Sequence, residues 1–212
     1  MTGRASFSSP AKRGRRRLCI LIAAALLLAA CQTLERPLED TALHVAFEHN
    51  ARREGFRRVA VVTEDYYYCY PLTRQVFRVP RGFETDFASI PIWVSAVFNP
   101  IGDDAEAAVV HDWLYAVGEK GQREQADSIF LYAMQQSHVP AIQSKMLYEA
   151  VRAGGEKNYG APGEWRFVDP ETEKPARGPR KPLTAVVTTL RSCDDLRGAL
   201  PKLRLMSDLP RI

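Results

Sequence analysis

The sequence predicts an α+β fold in which a short antiparallel β-meander packs on two or three helices. Two observations lead to this expectation. Residues 57–80 alternate β-branched and aromatic runs with turn-forming residues, which is typical of short strands. Residues 103–154 instead repeat apolar side chains at helical spacing, with short breaks that contain glycine or proline. The 212 residues leave room for one such domain with extensions.

The core domain is expected over residues 57–160. Its strand candidates are 59–63, 66–70 and 75–79. The tyrosines of the second strand are expected to face the core on one side and its rim on the other. The helix candidates are 103–117, 123–137 and 140–154. Acidic residues at 103 and 104 suit the positive end of the first helix dipole.

Extensions are expected on both sides of this core. Residues 31–56 are polar and are interpreted as a tether, with a short helix candidate at 43–53. Residues 161–212 form the C-terminal extension. Its first part, 161–182, has five prolines and is either a linker or an extended wrap. A strand at 184–190 and a weak helix at 194–205 follow.

Residues 1–30 are typical of a lipoprotein signal peptide. A basic segment, 12–17, precedes an apolar run of 13 residues that is too short to span a bilayer comfortably. The run ends in Leu28-Ala29-Ala30-Cys31, which resembles the lipobox of bacterial lipoproteins, so Cys31 is expected to carry the lipid. Gln32 resembles the residue that directs Gram-negative lipoproteins to the outer membrane. An ordinary secretory signal or an uncleaved anchor is the alternative.

The charge distribution argues against a nucleic-acid partner. The formal net charge is +4, but residues 1–30 hold six basic residues and no acidic one. The remaining 23 basic residues face 25 acidic residues, so the chain beyond the leader lacks the positive surface that nucleic acid requires. The membrane, reached through the lipid, is the expected partner. Protein partners stay open.

Two cysteines remain once Cys19 leaves with the leader and Cys31 is lipidated. Cys69 and Cys193 could pair in an oxidising periplasm. No C-x-x-C or Cys/His spacing points to a structural zinc site.

The residues that could carry chemistry lie on the first helix of the core. His111 and Tyr115 share one face, while Asp112 projects about 100° away from His111. A carboxylate that orients His111 must therefore come from another element, and Asp127, early on the next helix, is the candidate. Asp112 is then free to hold a cation, which completes a hydrolytic set, or to cap a neighbouring loop. A buried polar network that fixes the helix pair is the alternative.

The loop before this helix has a less specific composition. Asp86 and Ser89 fit turn formation and helix capping. Ser89 is not in a G-x-S-x-G motif, which argues against a serine hydrolase. No P-loop, G-x-G-x-x-G or H-E-x-x-H pattern is present.

Three blocks of the sequence carry a resemblance: VPRGFETDFASIP from residue 79, AAVVHDWLY from residue 107 and ADSIF from residue 126. Together they resemble the domain of unknown function 1353, which is found in phages and bacteria. The resemblance covers roughly residues 57–155. It implies a domain and no activity.

The order His-Asp-x-x-Tyr, followed by Asp-x-x-Phe, is similar to the catalytic helices of phospholipase A₂. This resemblance implies that His111 activates water, Asp112 binds calcium and Asp127 orients the imidazole. No glycine-rich calcium loop precedes the pair, so the loop around Asp86 would supply the missing calcium ligands. The sequence thus predicts an outer-membrane lipoprotein that faces the periplasm, and the first hypothesis for its activity is a metal-assisted hydrolase of envelope material. The resemblance to phospholipase A₂ implies that the metal is calcium and the substrate a lipid ester. The alternative is a non-catalytic envelope or phage-derived interaction module.

Overall fold

The computed structural model describes residues 42–47, 59–87 and 104–207, and these confirm the α+β class. The described strands are β1 Val45–Phe47, β2 Ala60–Val62, β3 Tyr66–Tyr70, β4 Gln75–Val79, β5 Glu84–Thr85 and β6 Val186–Thr189. The described helices are α1 Ala105–Val117, α2 Arg123–Gln136, α3 Ala141–Gly154 and α4 Leu196–Ser207. The described part of the chain contains no helix that is long and apolar enough to cross a membrane.

The described strands form two antiparallel three-stranded sheets, in the orders β1-β2-β5 and β3-β4-β6. The three strands expected as one meander are therefore divided between two sheets. β3 and β4 form a hairpin in which Tyr66 lies opposite Val79. β2 is buried at every residue and pairs with β1 and β5 on its two edges. A central strand with both edges occupied cannot also pair with β3.

The prediction of a helix over 43–53 is wrong in the part that the structure describes, because Val45–Phe47 is strand β1. β1 lies antiparallel to β2, and the amide of Thr63 donates to the carbonyl of His44 at 2.9 Å. Leu43 and Val45 are partly buried against the core. The two partly buried side chains are two residues apart, which is the period of a β-strand. Their burial outweighs the weak helical pattern of this segment. Residues 48–58 lie outside the described part of the chain.

Helix α1 is the centre of the domain, since all of its residues from 107 to 117 are buried. α2 packs against α1, and α3 packs against α2. Gly118 ends α1 in the left-handed conformation, with φ of 58°, and its amide donates to the carbonyl of Leu114. A Cβ atom on Gly118 would collide with Gly160, so this close approach requires glycine.

The segment 161–182 is an extended wrap. It reaches the core through Phe167, which is buried and pairs with Phe83 by a β-bridge. The ring of Trp165 lies 5.2 Å from that of Trp113 on α1. Burying a side chain such as Phe167 stabilises the fold by about 1.5–3 kcal/mol. The wrap is therefore part of the folded domain.

The C-terminal elements are those expected. β6 adds to the free edge of β4. Helix α4, with Pro201 inside it, packs on a second, smaller core that includes Tyr67, Val76 and Leu200. A disulfide joins Cys69 on β3 to Cys193 just before α4, with the Cα atoms 5.6 Å apart.

Candidate functional site

Three helices meet at the carboxylate of Asp127, which is fully buried. Its Oδ1 accepts a hydrogen bond from the Tyr115 hydroxyl at 2.7 Å and lies 3.0 Å from Nε2 of His111. Its Oδ2 accepts from Nη1 of Arg152 on α3 at 2.9 Å, and Nη1 of Arg123 lies 3.7 Å away. Because donors surround both oxygens, the buried negative charge is compensated.

Helical spacing produces this convergence. His111 and Tyr115 are one turn apart on α1 and both reach the same oxygen of Asp127. A Cβ atom on Gly155, directly after α3, would collide with the hydroxyl of Tyr115. The glycine thus leaves space for the phenol beside Asp127.

The hydrogen bond to Asp127 assigns the tautomer of His111. An ionised carboxylate only accepts, so Nε2 carries the proton and donates it. Nδ1 is then an acceptor, and it has no hydrogen-bond partner among the described residues. The imidazole packs against two rings, and its centroid lies 4.2 Å from that of Tyr115 and 4.6 Å from that of Phe130. His111 therefore holds a fixed lone pair at Nδ1.

Burial lowers the pKa of His111 below its ordinary value, and this outweighs the opposing effects of Asp127 and of the charge of Asp86. Burial by itself raises the pKa of Asp127, but the hydrogen bonds from His111, Tyr115 and Arg152 bring that pKa below its usual range. Burial, followed by the bond to Asp127, raises the pKa of the Tyr115 hydroxyl. Near neutral pH the site thus holds a neutral imidazole, an ionised carboxylate and a protonated phenol.

Asp112 fixes the loop that precedes the helices. Its Oδ2 accepts a hydrogen bond from Oγ1 of Thr85 at 2.5 Å, and Oγ1 in turn accepts from the amide of Phe87 at 3.1 Å. Phe87 is buried with a positive φ of 59°, a conformation that costs a side-chain-bearing residue about 1–2 kcal/mol. Asp86, half-buried, lies between these two residues. The loop is thereby held where the charge of Asp86 acts on His111.

The structure does not assemble a calcium site from its described residues. Calcium takes six to eight oxygen ligands, and no group of three or more His, Cys, Asp or Glu side chains that could hold a metal occurs in residues 42–47, 59–87 and 104–207. One oxygen of Asp112 already accepts from Thr85. Calcium binding by Asp112 and Asp86 stays a prediction.

Almost all residues of the site lie within a segment that matches one protein family. Residues 60–151 match the family described as Protein of unknown function (DUF1353). This segment is a DUF1353 domain. The match includes Asp86, His111, Asp112 and Asp127, and Arg152 follows its last residue. No curated protein and no solved structure matches the chain.

Sequence reasoning did not assign roles to three partners of the DUF1353 site. The sequence places Tyr115 on the face of His111 but does not predict its bond to Asp127. Arg123 precedes Asp127 by one turn of α2, and this spacing in the sequence could have predicted their ion pair. Arg152 comes from α3, and no spacing in the sequence connects it with Asp127. Cys31 and Ser89 lie outside the described residues.

Proposed function

We propose that the DUF1353 domain is a hydrolase in which His111 is the general base. The observation that carries this proposal is the orientation of the imidazole: Nε2 is engaged by Asp127, and Nδ1 is an acceptor without a described partner. A lowered pKa keeps the ring neutral at pH 7, as a base requires.

In the proposed reaction, Nδ1 of His111 takes a proton from water as the water oxygen adds to an ester carbonyl. The carbonyl oxygen gains the electron pair of its π bond. The tetrahedral intermediate then collapses, and the proton passes from Nδ1 to the departing alkoxide. Asp127 stays ionised and stabilises the transient imidazolium, while Tyr115 and Arg152 keep its carboxylate in place.

The proposed substrate is an ester of the bacterial envelope, phospholipid included, because the leader sequence favours a lipid anchor at Cys31. The anchor would hold the protein on the periplasmic side of the outer membrane. The Cys69–Cys193 disulfide supports an oxidising compartment. Calcium held by Asp112 and Asp86 is part of the same proposal.

The test is hydrolysis of phospholipid in mixed micelles by the full chain, with calcium and with a chelator. His111→Gln should abolish fatty-acid release while the melting temperature stays near that of the parent, because a glutamine amide can still donate to Asp127. The matched control is His138→Asn, since His138 is exposed and also has a positive φ that asparagine tolerates. A parent that hydrolyses no ester with or without calcium would contradict the proposal.

A non-catalytic interaction module is the second candidate, and the burial of His111 favours it. Only 3% of His111 is exposed. In this case His111, Tyr115 and Asp127 join the helices and have no substrate. His111→Ala would then lower the melting temperature strongly, and the parent would show no activity to lose.

A further inference from the structure

A cavity of about 360 Å³ lies on the other side of α1 from His111. Trp113 forms part of its wall, and a position two residues along a helix is rotated by about 200°. The wrap contributes Pro182 to the wall, and β6 contributes Val187. Pro80, which directly follows β4, is also part of the wall. Pockets for small molecules occupy about 300–1,000 Å³, so this cavity has room for one small apolar body.

Two arginines line the cavity, and only one of them has an acidic partner among the described residues. Arg78 is neutralised by Asp65, with its Nε and Nη2 both 2.7 Å from the carboxylate. Arg180 lines the same cavity, is exposed, and has neither an ion pair nor a hydrogen bond with any described residue. Among the residues that the structure describes, the cavity thus presents one uncompensated positive charge at its rim.

The surrounding segment adds to this positive potential. Residues 174–193 contain five basic residues and no acidic residue. None of the five is in a described ion pair. A positive rim above an apolar wall attracts ligands that carry both an anionic group and an apolar part.

We propose that this cavity binds a small amphiphilic carboxylate. The carboxylate is held by the guanidinium of Arg180, whose planar fork matches both oxygens. The apolar body packs on Trp113 and Val187. The size of the cavity selects a small molecule over a protein surface. The binding site does not use His111 or Asp127, so it is independent of the proposed hydrolysis.

Isothermal titration of the full chain with 4-phenylbutyrate tests the proposal. The parent should bind this acid, with a change in tryptophan fluorescence because Trp113 lines the cavity. Its neutral amide and its amine analogue should bind at least about tenfold more weakly, and acetate should not bind, since it lacks the apolar body. Arg180→Gln should weaken binding about three- to tenfold. The matched control is Arg177→Gln, which removes an exposed cation of the same segment outside the cavity.

Val187→Phe provides a second, charge-neutral variant. Val187 is 41% exposed and lines the cavity, so the larger ring should fill the cavity and prevent binding without unfolding the protein. Equal binding by the Arg180→Gln and Arg177→Gln variants would overturn the proposal. Equal binding of the acid and its amide, or no binding of the acid at millimolar concentration, would overturn it as well. Capture of an acidic peptide in place of the small acid would assign the cavity to a different class of ligand and also overturn it.

Discussion

Asp127→Asn is the substitution that most sharply perturbs the site while preserving its shape. The amide oxygen can still accept from His111 and Tyr115 in the place of Oδ1. The amide NH₂ then faces Arg152 and Arg123, which are donors themselves. The variant therefore keeps the contacts to α1 and loses those that join α2 to α3.

The magnitude follows from the lost interactions. A hydrogen bond to a charged group contributes about 1.5–3 kcal/mol. The Arg152 side chain is 28% exposed, so solvent reduces its contribution toward the lower end. Adding the unfavourable contact between donors, we expect the free energy of unfolding to fall by about 2–3 kcal/mol. For a chain of this size the melting temperature should fall by about 4–12 °C.

The assay is thermal unfolding of Asp127→Asn, Arg152→Gln and the double variant, followed by circular dichroism. Arg152→Gln alone should lower the free energy of unfolding by about 1–2 kcal/mol. In the double variant it should cause no further loss, because its partner is already gone and the contact between the two donors is relieved. Lys145→Gln, which removes an exposed ion pair with Glu149, should leave melting unchanged. Full additivity of the two single changes, or an Asp127→Asn variant as stable as the parent, would refute the reasoning.

Three further expectations concern pH, the anchor and the disulfide. Because burial lowers the pKa of His111 in the folded state, the unfolded state binds more protons than the folded state as pH falls through about 6.5. The free energy of unfolding should therefore fall by up to about 1.4 kcal/mol per pH unit. Melting curves between pH 8 and 5 should show a weaker slope for His111→Gln, and equal slopes would contradict this direction. Cys31→Ala should leave an unprocessed precursor without lipid, so normal incorporation of labelled palmitate would argue against the anchor. Reduction of the Cys69–Cys193 bridge, which links residues 124 positions apart, should lower stability by about 2–4 kcal/mol, and alkylation of both thiols in the folded, non-reduced protein would contradict the pairing.

The helices could be predicted from the sequence because each carries a strong local pattern. The breaks at Gly118 and Pro140 separate α1, α2 and α3, and the structure keeps these boundaries closely. Sheet membership could not be predicted in the same way. The residues of β2 read as a strand, but its partners come from residues 45–47 and 84–85, and pairing at such separations leaves no local signal.

The site shows the same division between local and distant information. The pairing of His111 with Asp127 follows from the short connection between α1 and α2. The one-turn spacing places Tyr115 beside His111 but does not show that Tyr115 bonds to Asp127. Arg152 depends on how α3 packs across α2, which no single-sequence pattern records. Asp112 caps a neighbouring loop, which is one of the two roles expected for it, but its partner Thr85 lies 27 residues away in the chain, and no spacing in the sequence identifies that partner.

The state of the His111 ring is the property on which the proposed chemistry depends most directly. Nitrogen-15 NMR of the full chain, labelled at histidine and compared with His111→Gln, reports which ring nitrogen carries the proton. At pH 7 we expect the His111 signals to be those of a neutral ring protonated at Nε2, with Nδ1 free of a proton. A ring protonated at Nδ1, or a charged imidazolium at this pH, would contradict the assignment of Nδ1 of His111 as the base.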